Sequence, residues 1–182
     1  MIIAAVTPAL IEHGRAVTSK QLAEACGLAE GTIFRAFGDK ESLIAAVVAK
    51  NLDPEPFRND LRRIDPELGL DEKVLALVAL LRRRFETVFH LMAALGEFTR
   101  PPAPDARREF QGILERLMRP HAAQLAFPPD RVAQLIRSVT LAATLPQLNE
   151  GAPFDAHEVT ALLLHGISRT CAAASDQHPH GK

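Results

Sequence analysis

Seven histidines, two cysteines and three clusters of arginine are the side chains in this sequence able to do chemistry. A transition-metal site needs His or Cys at short fixed spacings, such as two His one helical turn apart. His90, His121, His157 and His165 stand in no such spacing, and Cys26 and Cys171 are too far apart to suggest a zinc pair or a disulfide framework. His178 and His180 fall in the polar tail SDQHPHGK and read as solvated. Nucleophilic catalysis or phosphate handling would need a serine elbow or a glycine-rich loop. No G-x-S-x-G, H-E-x-x-H, G-x-G-x-x-G or Walker-type run occurs. The sequence therefore predicts no enzyme, no metal and no cofactor. The runs Arg62-Arg63, Arg82-Arg83-Arg84 and Arg107-Arg108 could meet an anion, but Glu and Asp nearby make an ion-paired, solvated face the better reading. Either thiol could sense oxidants, although Cys26 also fits a small buried position between two helices.

One segment has a more informative spacing. Residues 18–37, TSKQLAEACGLAEGTIFRAF, place Leu22, Ala23, Cys26, Leu28, Ile33 and Phe37 on the apolar faces of two short helices, with Gly27 able to take the left-handed conformation that ends the first. A helix of about eight residues, a tight turn and a second helix let one helix brace on a DNA backbone while the next enters the major groove. Any helical hairpin needs a glycine at its turn, so spacing alone leaves DNA binding and plain packing both open.

The surrounding elements must position that segment. The chain has 182 residues, is 47% hydrophobic and contains no Tyr or Trp, and its Ala and Leu residues recur at helical rather than alternating spacing, which predicts an all-α fold. Helix starts are expected at the short polar side chains Thr18, Asp39, Asp71, Asp105, Asp130 and Asp155, with capping boxes at Thr18–Gln21 and Asp155–Glu158. Breaks at Gly14, Gly27, Gly38, 53-DPEP-56, 100-RPPAP-104, 127-FPP-129 and 149-NEGAP-153 punctuate about eight helices. Pro8 is expected to interrupt the first of them. Val74, Leu77, Val78, Leu81, Phe85, Val88, Phe89, Met92 and Leu95 mark one long central helix. Segments 130–148 and 155–174 carry more apolar surface than one protomer is expected to cover, which predicts a homodimer; Ala142, Ala143 and Gly166 would let helices approach closely. The opening MIIAAVTPAL lacks a basic region and a cleavage site, and no stretch reaches the ~18 uncharged apolar residues of a membrane span, so a reduced, cytoplasmic setting is expected. Net charge is −1, and residues 1–50 balance five bases (Arg15, Lys20, Arg35, Lys40, Lys50) with five acids, so charge does not argue for nucleic acid.

The motif does. Residues 10–43, LIEHGRAVTSKQLAEACGLAEGTIFRAFGDKESL, resemble the N-terminal signature of TetR-type transcriptional regulators: Gly14 after the first helix, Thr18-Ser19 opening the second, Leu22-Ala23 within it and Gly27-Leu28 in the turn. The match continues through Gly31-Thr32 opening the recognition helix, Phe34 and Phe37 inside it, and Lys40-Glu41-x-Leu43 opening the fourth. The resemblance implies a three-helix DNA-binding unit over residues 1–50, a helical effector-binding and dimerisation domain over 51–175, and a disordered tail at 176–182. It implies that Thr18 or Ser19, Thr32 and Lys40 lie against phosphates, with Lys20, Gly31 and Phe34 on the same DNA-facing surface. Arg35 is then the base reader, because a guanidinium can hold guanine O6 and N7 together. Glu30 either reads a cytosine or favours the helix dipole. Phe85, Phe89, Met92, Phe98, Phe110, Leu114 and Leu117 would line a cavity for a small apolar effector, although each alone reads more often as core.

The sequence departs from the family pattern in four places. Ala29 replaces a capping Ser at a cost of ~1 kcal/mol; Phe34 stands where Tyr is common, and Ala36 where His is common. The family usually has a basic arm before the first helix, and this sequence begins at that helix. The expected function is a ligand-responsive regulator, a repressor acting as a homodimer on a (pseudo)palindromic operator. The alternative is a helical sensor or interaction protein that has lost DNA binding.

Overall fold

Capping chemistry sets the first helix boundaries. In the computed structural model, which describes residues 1–96, 104–149 and 152–167, α1 runs Ile2–His13, α2 Ser19–Cys26, α3 Glu30–Phe37 and α4 Lys40–Leu52. Thr18 caps α2 with a complete capping box: its hydroxyl accepts from Gln21 N at 3.2 Å while Gln21 Oε1 accepts from Thr18 N at 2.8 Å. Gly27 ends α2 in the left-handed region at φ 64°. Asp39 caps α4 through a 2.7 Å bond from Ser42 N, and hydrogen bonding from the Ser42 side chain and then from that N–H holds its carboxyl below its ordinary pKa. Pro8 does not interrupt α1 as expected; it sits exposed inside a continuous helix, where Thr7 Oγ1 donates to Ile3 O at 2.7 Å.

The remaining helices are α5 Glu55–Arg62, α6 Leu70–Leu95, α7 Pro104–Met118, α8 Pro129–Thr144 and α9 Ala156–Ile167, with 3-10 turns at Gly14–Ala16, Arg119–Gln124 and Pro146–Leu148. There is no strand among the described residues. The capping box at Asp155–Glu158 forms in both directions, at 2.8 Å each. Asp71 and Asp130 lie inside the first turns of α6 and α8 rather than at their caps. At α8 the start belongs to Pro129, whose fixed φ and missing N–H suit the first helical position. At α6 the Glu72 carboxylate reaches back to Gly69 N. Helix α7 begins within a residue of the expected start at Asp105. Phe98, Cys171, the end of the 155–174 segment and the 176–182 tail lie outside the described residues.

The chain forms two compact units. The first holds residues up to Pro54 with the part of α6 from Glu86 onward; the second holds Glu55–Phe85 with α7, α8 and α9. Val6, Leu10, Val17, Leu22, Ile33, Leu43, Ile44 and Val47 meet Leu91 and Leu95 in the first core. In the second, Leu61, Val74, Leu77, Val78, Leu81, Ile113, Leu114, Met118, Val132, Ile136 and Leu163 interdigitate, with α8 packed between α7 and α9. Burying a Leu or Ile contributes ~1.5–3 kcal/mol, so these clusters, not helix propensity, hold helices as short as α2 and α3.

The second unit also buries polar groups. Arg58 is inside, bonded to Glu55 and to Glu109 Oε2 at 2.8 Å, which ties α5 to α7. Lys73 is 1% exposed; its ammonium donates to Pro66 O at 2.7 Å and stands 3.0 Å from His121 Nε2. An ammonium can only donate, so His121 must accept through a neutral ring. Burial and then the Lys73 charge push the His121 pKa below its ordinary 6.5.

Candidate nucleic-acid interface

Helix α3 has two unlike faces. Ile33 is fully buried in the first core and Phe37 packs against it, while Glu30, Gly31, Thr32, Arg35 and Ala36 are exposed and Phe34 is half-buried. This follows from sequence: eight residues give two turns, and only positions one turn apart share a face. The N-terminal end of α3 is open, because Ala29 has the extended backbone of a cap, at φ −72° and ψ 144°, but no side chain to accept a bond. A Cβ placed on Gly31 would meet nothing within 4 Å, so another molecule can approach the backbone there.

Thr32 and Ser19 supply hydroxyls at the openings of α3 and α2. Thr18 is differently placed: its hydroxyl also donates to Gln21 Oε1 at 2.9 Å, so its proton is committed to the capping box. Lys20 is exposed and stands 3.8 Å from Glu24, an i,i+4 pair in water of small energetic worth. Lys40 is half-buried, and its ammonium donates to Arg15 O and Val17 O, both at 3.1 Å. Sequence reasoning missed that engagement. The signal was present only as a lysine in the first turn of α4, where a cation gains nothing from the helix dipole.

The structure thus brings Ser19, Lys20, Glu30, Gly31, Thr32, Phe34 and Arg35 onto the α2–α3 pair. The expected effector-lining residues divide differently. Phe85, Phe110, Leu114 and Leu117 belong to or border the second core, and Phe57 and Phe110 stack at 5.8 Å between ring centres. Phe89 and Met92 lie on the part of α6 that belongs to the first unit. Among the described residues there is no group of three or more His, Cys, Asp or Glu able to hold a metal, and no helix long and apolar enough to cross a membrane.

A short helix, a glycine turn and a second helix with an exposed polar face, braced by α1 and α4, define the helix-turn-helix class of DNA-binding unit. Residues 2–47 match the family model described as bacterial regulatory proteins, tetR family. No curated protein matches the sequence. Among solved structures, a TetR transcriptional regulator of Streptomyces coelicolor is similar at 20% identity and TM-score 0.61, covering 92% of this chain and 96% of that one. A TetR-family regulator of Pectobacterium atrosepticum is similar at 22% identity and TM-score 0.52, covering 92% of each chain. SmeT, the repressor of a multidrug efflux pump of Stenotrophomonas maltophilia, is similar at 20% identity and TM-score 0.54, covering 100% of this chain and 93% of that one. At such identities the likeness is one of fold.

Proposed function

We propose that the protein is a ligand-responsive transcriptional repressor that binds a (pseudo)palindromic operator as a homodimer and is released by a small apolar effector. The observation that carries this reading is the exposed face of α3, where Thr32 and Arg35 stand one turn apart on the side opposite the buried Ile33. Arg35 is the base reader: its guanidinium is exposed on a helix of groove-compatible length and can meet guanine in a bidentate way. Ser19, Thr32 and Lys20 contact phosphates, and Gly31 with Glu30 opens the helix end towards the backbone. The likeness of fold to SmeT, a repressor, favours repression over activation.

The dimer reading rests on α8 and α9. Leu135 and Leu162 are 39% and 60% exposed, and Ala142 and Ala161 also face solvent. Ala143 instead turns into the second core, so Ala142 is the small residue that admits a partner helix. Obligate interfaces bury roughly 2,000 Å² or more, which would cover these side chains. The effector reading rests on the apolar set Phe85, Phe110, Leu114 and Leu117 of the second unit, because a charged ligand would find little compensation there.

Selection of a binding sequence from random duplex DNA, followed by anisotropy titration, tests the proposal. Recovery of a two-fold motif with half-sites about one helical turn apart supports it. Failure to enrich any sequence would favour a helical sensor without DNA binding. Leu162→Glu should convert a dimer to monomer in light scattering, with loss of operator binding.

A further inference from the structure

The segment Gly14–Thr18, which leads into the DNA-facing helices, is fastened at each step by groups of the first unit. Gly14 sits at φ 57°, and a Cβ added there would lie 2.2 Å from Ala94 O, so the backbone rests directly on the last turn of α6. Arg15 Nε donates to Leu95 O at 3.1 Å, meeting a carbonyl at the end of that helix. Val17 is fully buried in the first core. From the other side, Lys40 Nζ donates to Arg15 O and Val17 O. Thr18 then closes the capping box of α2.

We infer that Lys40 and Arg15 are positioning residues: they fix the segment that aims α2 and α3 and are not phosphate anchors. The inference rests on the DNA-binding reading above. The chemistry separates the two roles. A backbone carbonyl at 3.1 Å is a directional acceptor, and two of them on one ammonium use two of its three donors. Lys40 is half-buried, whereas Lys20 and Arg35, the cations left to meet DNA on the α2–α3 pair, are exposed. Removing a phosphate anchor lowers the salt dependence of binding, since each neutralised phosphate releases counterions. Removing a positioning residue leaves the number of neutralised phosphates unchanged and weakens binding at every salt concentration.

The test uses the full chain and a fluorescent random-sequence duplex of about 30 base pairs, roughly three turns, titrated between ~50 and ~200 mM salt. Lys40→Met and Arg15→Met should weaken binding on the order of tenfold with the parent's salt slope, while Lys20→Met should lower the slope by ~0.9 per phosphate given up. Lys40→Gln, neutral but still a donor, should recover part of the affinity lost in Lys40→Met. Amide hydrogen exchange on the free proteins should show faster exchange at Val17, Thr18 and Gln21 in both Met variants. A slope lowered by ~0.9 in Lys40→Met with unchanged exchange would overturn the inference, as would unchanged affinity and exchange in both Met variants. If Lys40→Met fails to fold, Lys40→Gln and Arg15→Met decide by the same slope and exchange. If the parent binds no duplex, the DNA-binding reading fails by itself, and exchange alone decides whether Lys40 and Arg15 hold the segment.

Discussion

The two units use polar chemistry in opposite ways. In the first, α2 is bounded by the Thr18 cap and the left-handed Gly27 and α4 opens at the Asp39 cap, its core is apolar, and the candidate functional groups Lys20, Thr32 and Arg35 are exposed. In the second, helices of 15 and 16 residues surround a larger core, and Arg58, Lys73, His121 and Thr140 are inside. A surface that must meet another molecule in fixed register depends on where each short helix starts and stops. A helical interior depends on volume and on satisfying each buried polar group, and many sequences meet that requirement.

Substitutions can break this contrast. The largest effect is expected for Leu114→Ala in the second core, where a fully buried side chain leaves a cavity costing about 2–5 kcal/mol; urea melting of the variant measures it. Gly14→Ala should follow, at about 1–3 kcal/mol, because an alanine would be forced into a glycine-only backbone region and its Cβ into Ala94 O. Gly27→Ala, at φ 64° but with open space around the added carbon, should cost less, about 1–2 kcal/mol. If the two glycine variants melted alike, the close approach to α6 would carry no weight.

Acidification should act on the second unit through His121. Its pKa is lowered on folding, so the native state resists protonation; the stability it contributes is present above the ordinary value of 6.5 and is lost as pH falls through that value towards the folded one. A protonated ring would face the Lys73 ammonium at 3.0 Å with no lone pair to offer. Denaturant midpoints should therefore drop as pH falls through and below His121's ordinary 6.5, and His121→Gln, which keeps an acceptor without titrating, should flatten that drop. An equally steep drop in the variant would assign it to other groups. The smallest effect sharpens the contrast from the other side: Ala29→Ser supplies the missing cap of α3 and should stabilise the protein by about 1 kcal/mol, seen as a raised melting temperature.

The first unit was the more legible of the two. Thr18, Gln21, Gly27 and Asp39 are local signals, each specifying a boundary through its own backbone, and the structure places each in the expected role. Pro8 misled because one exposed proline in a helix packed through Val6 and Leu10 is tolerated. Asp71 and Asp130 misled because a proline and a back-reaching glutamate can open a helix without a side-chain cap at those positions. The candidate site was readable as a set of residue types, but Lys40 was not. Its partners are carbonyls 25 and 23 residues earlier, and no spacing rule connects a lysine to a distant backbone. Lys73 and His121, 48 residues apart, were hidden for the same reason.

The account stands most directly on Arg35. Binding of parent and Arg35→Ala should be compared on a selected operator and on single-base variants of each half-site, at a salt concentration where the parent binds specifically. The account predicts a loss of ~1–3 kcal/mol per half-site with relaxed preference at one position, while the variant melts like the parent. Undiminished affinity and an unchanged base preference would contradict the assignment of α3 as the recognition helix.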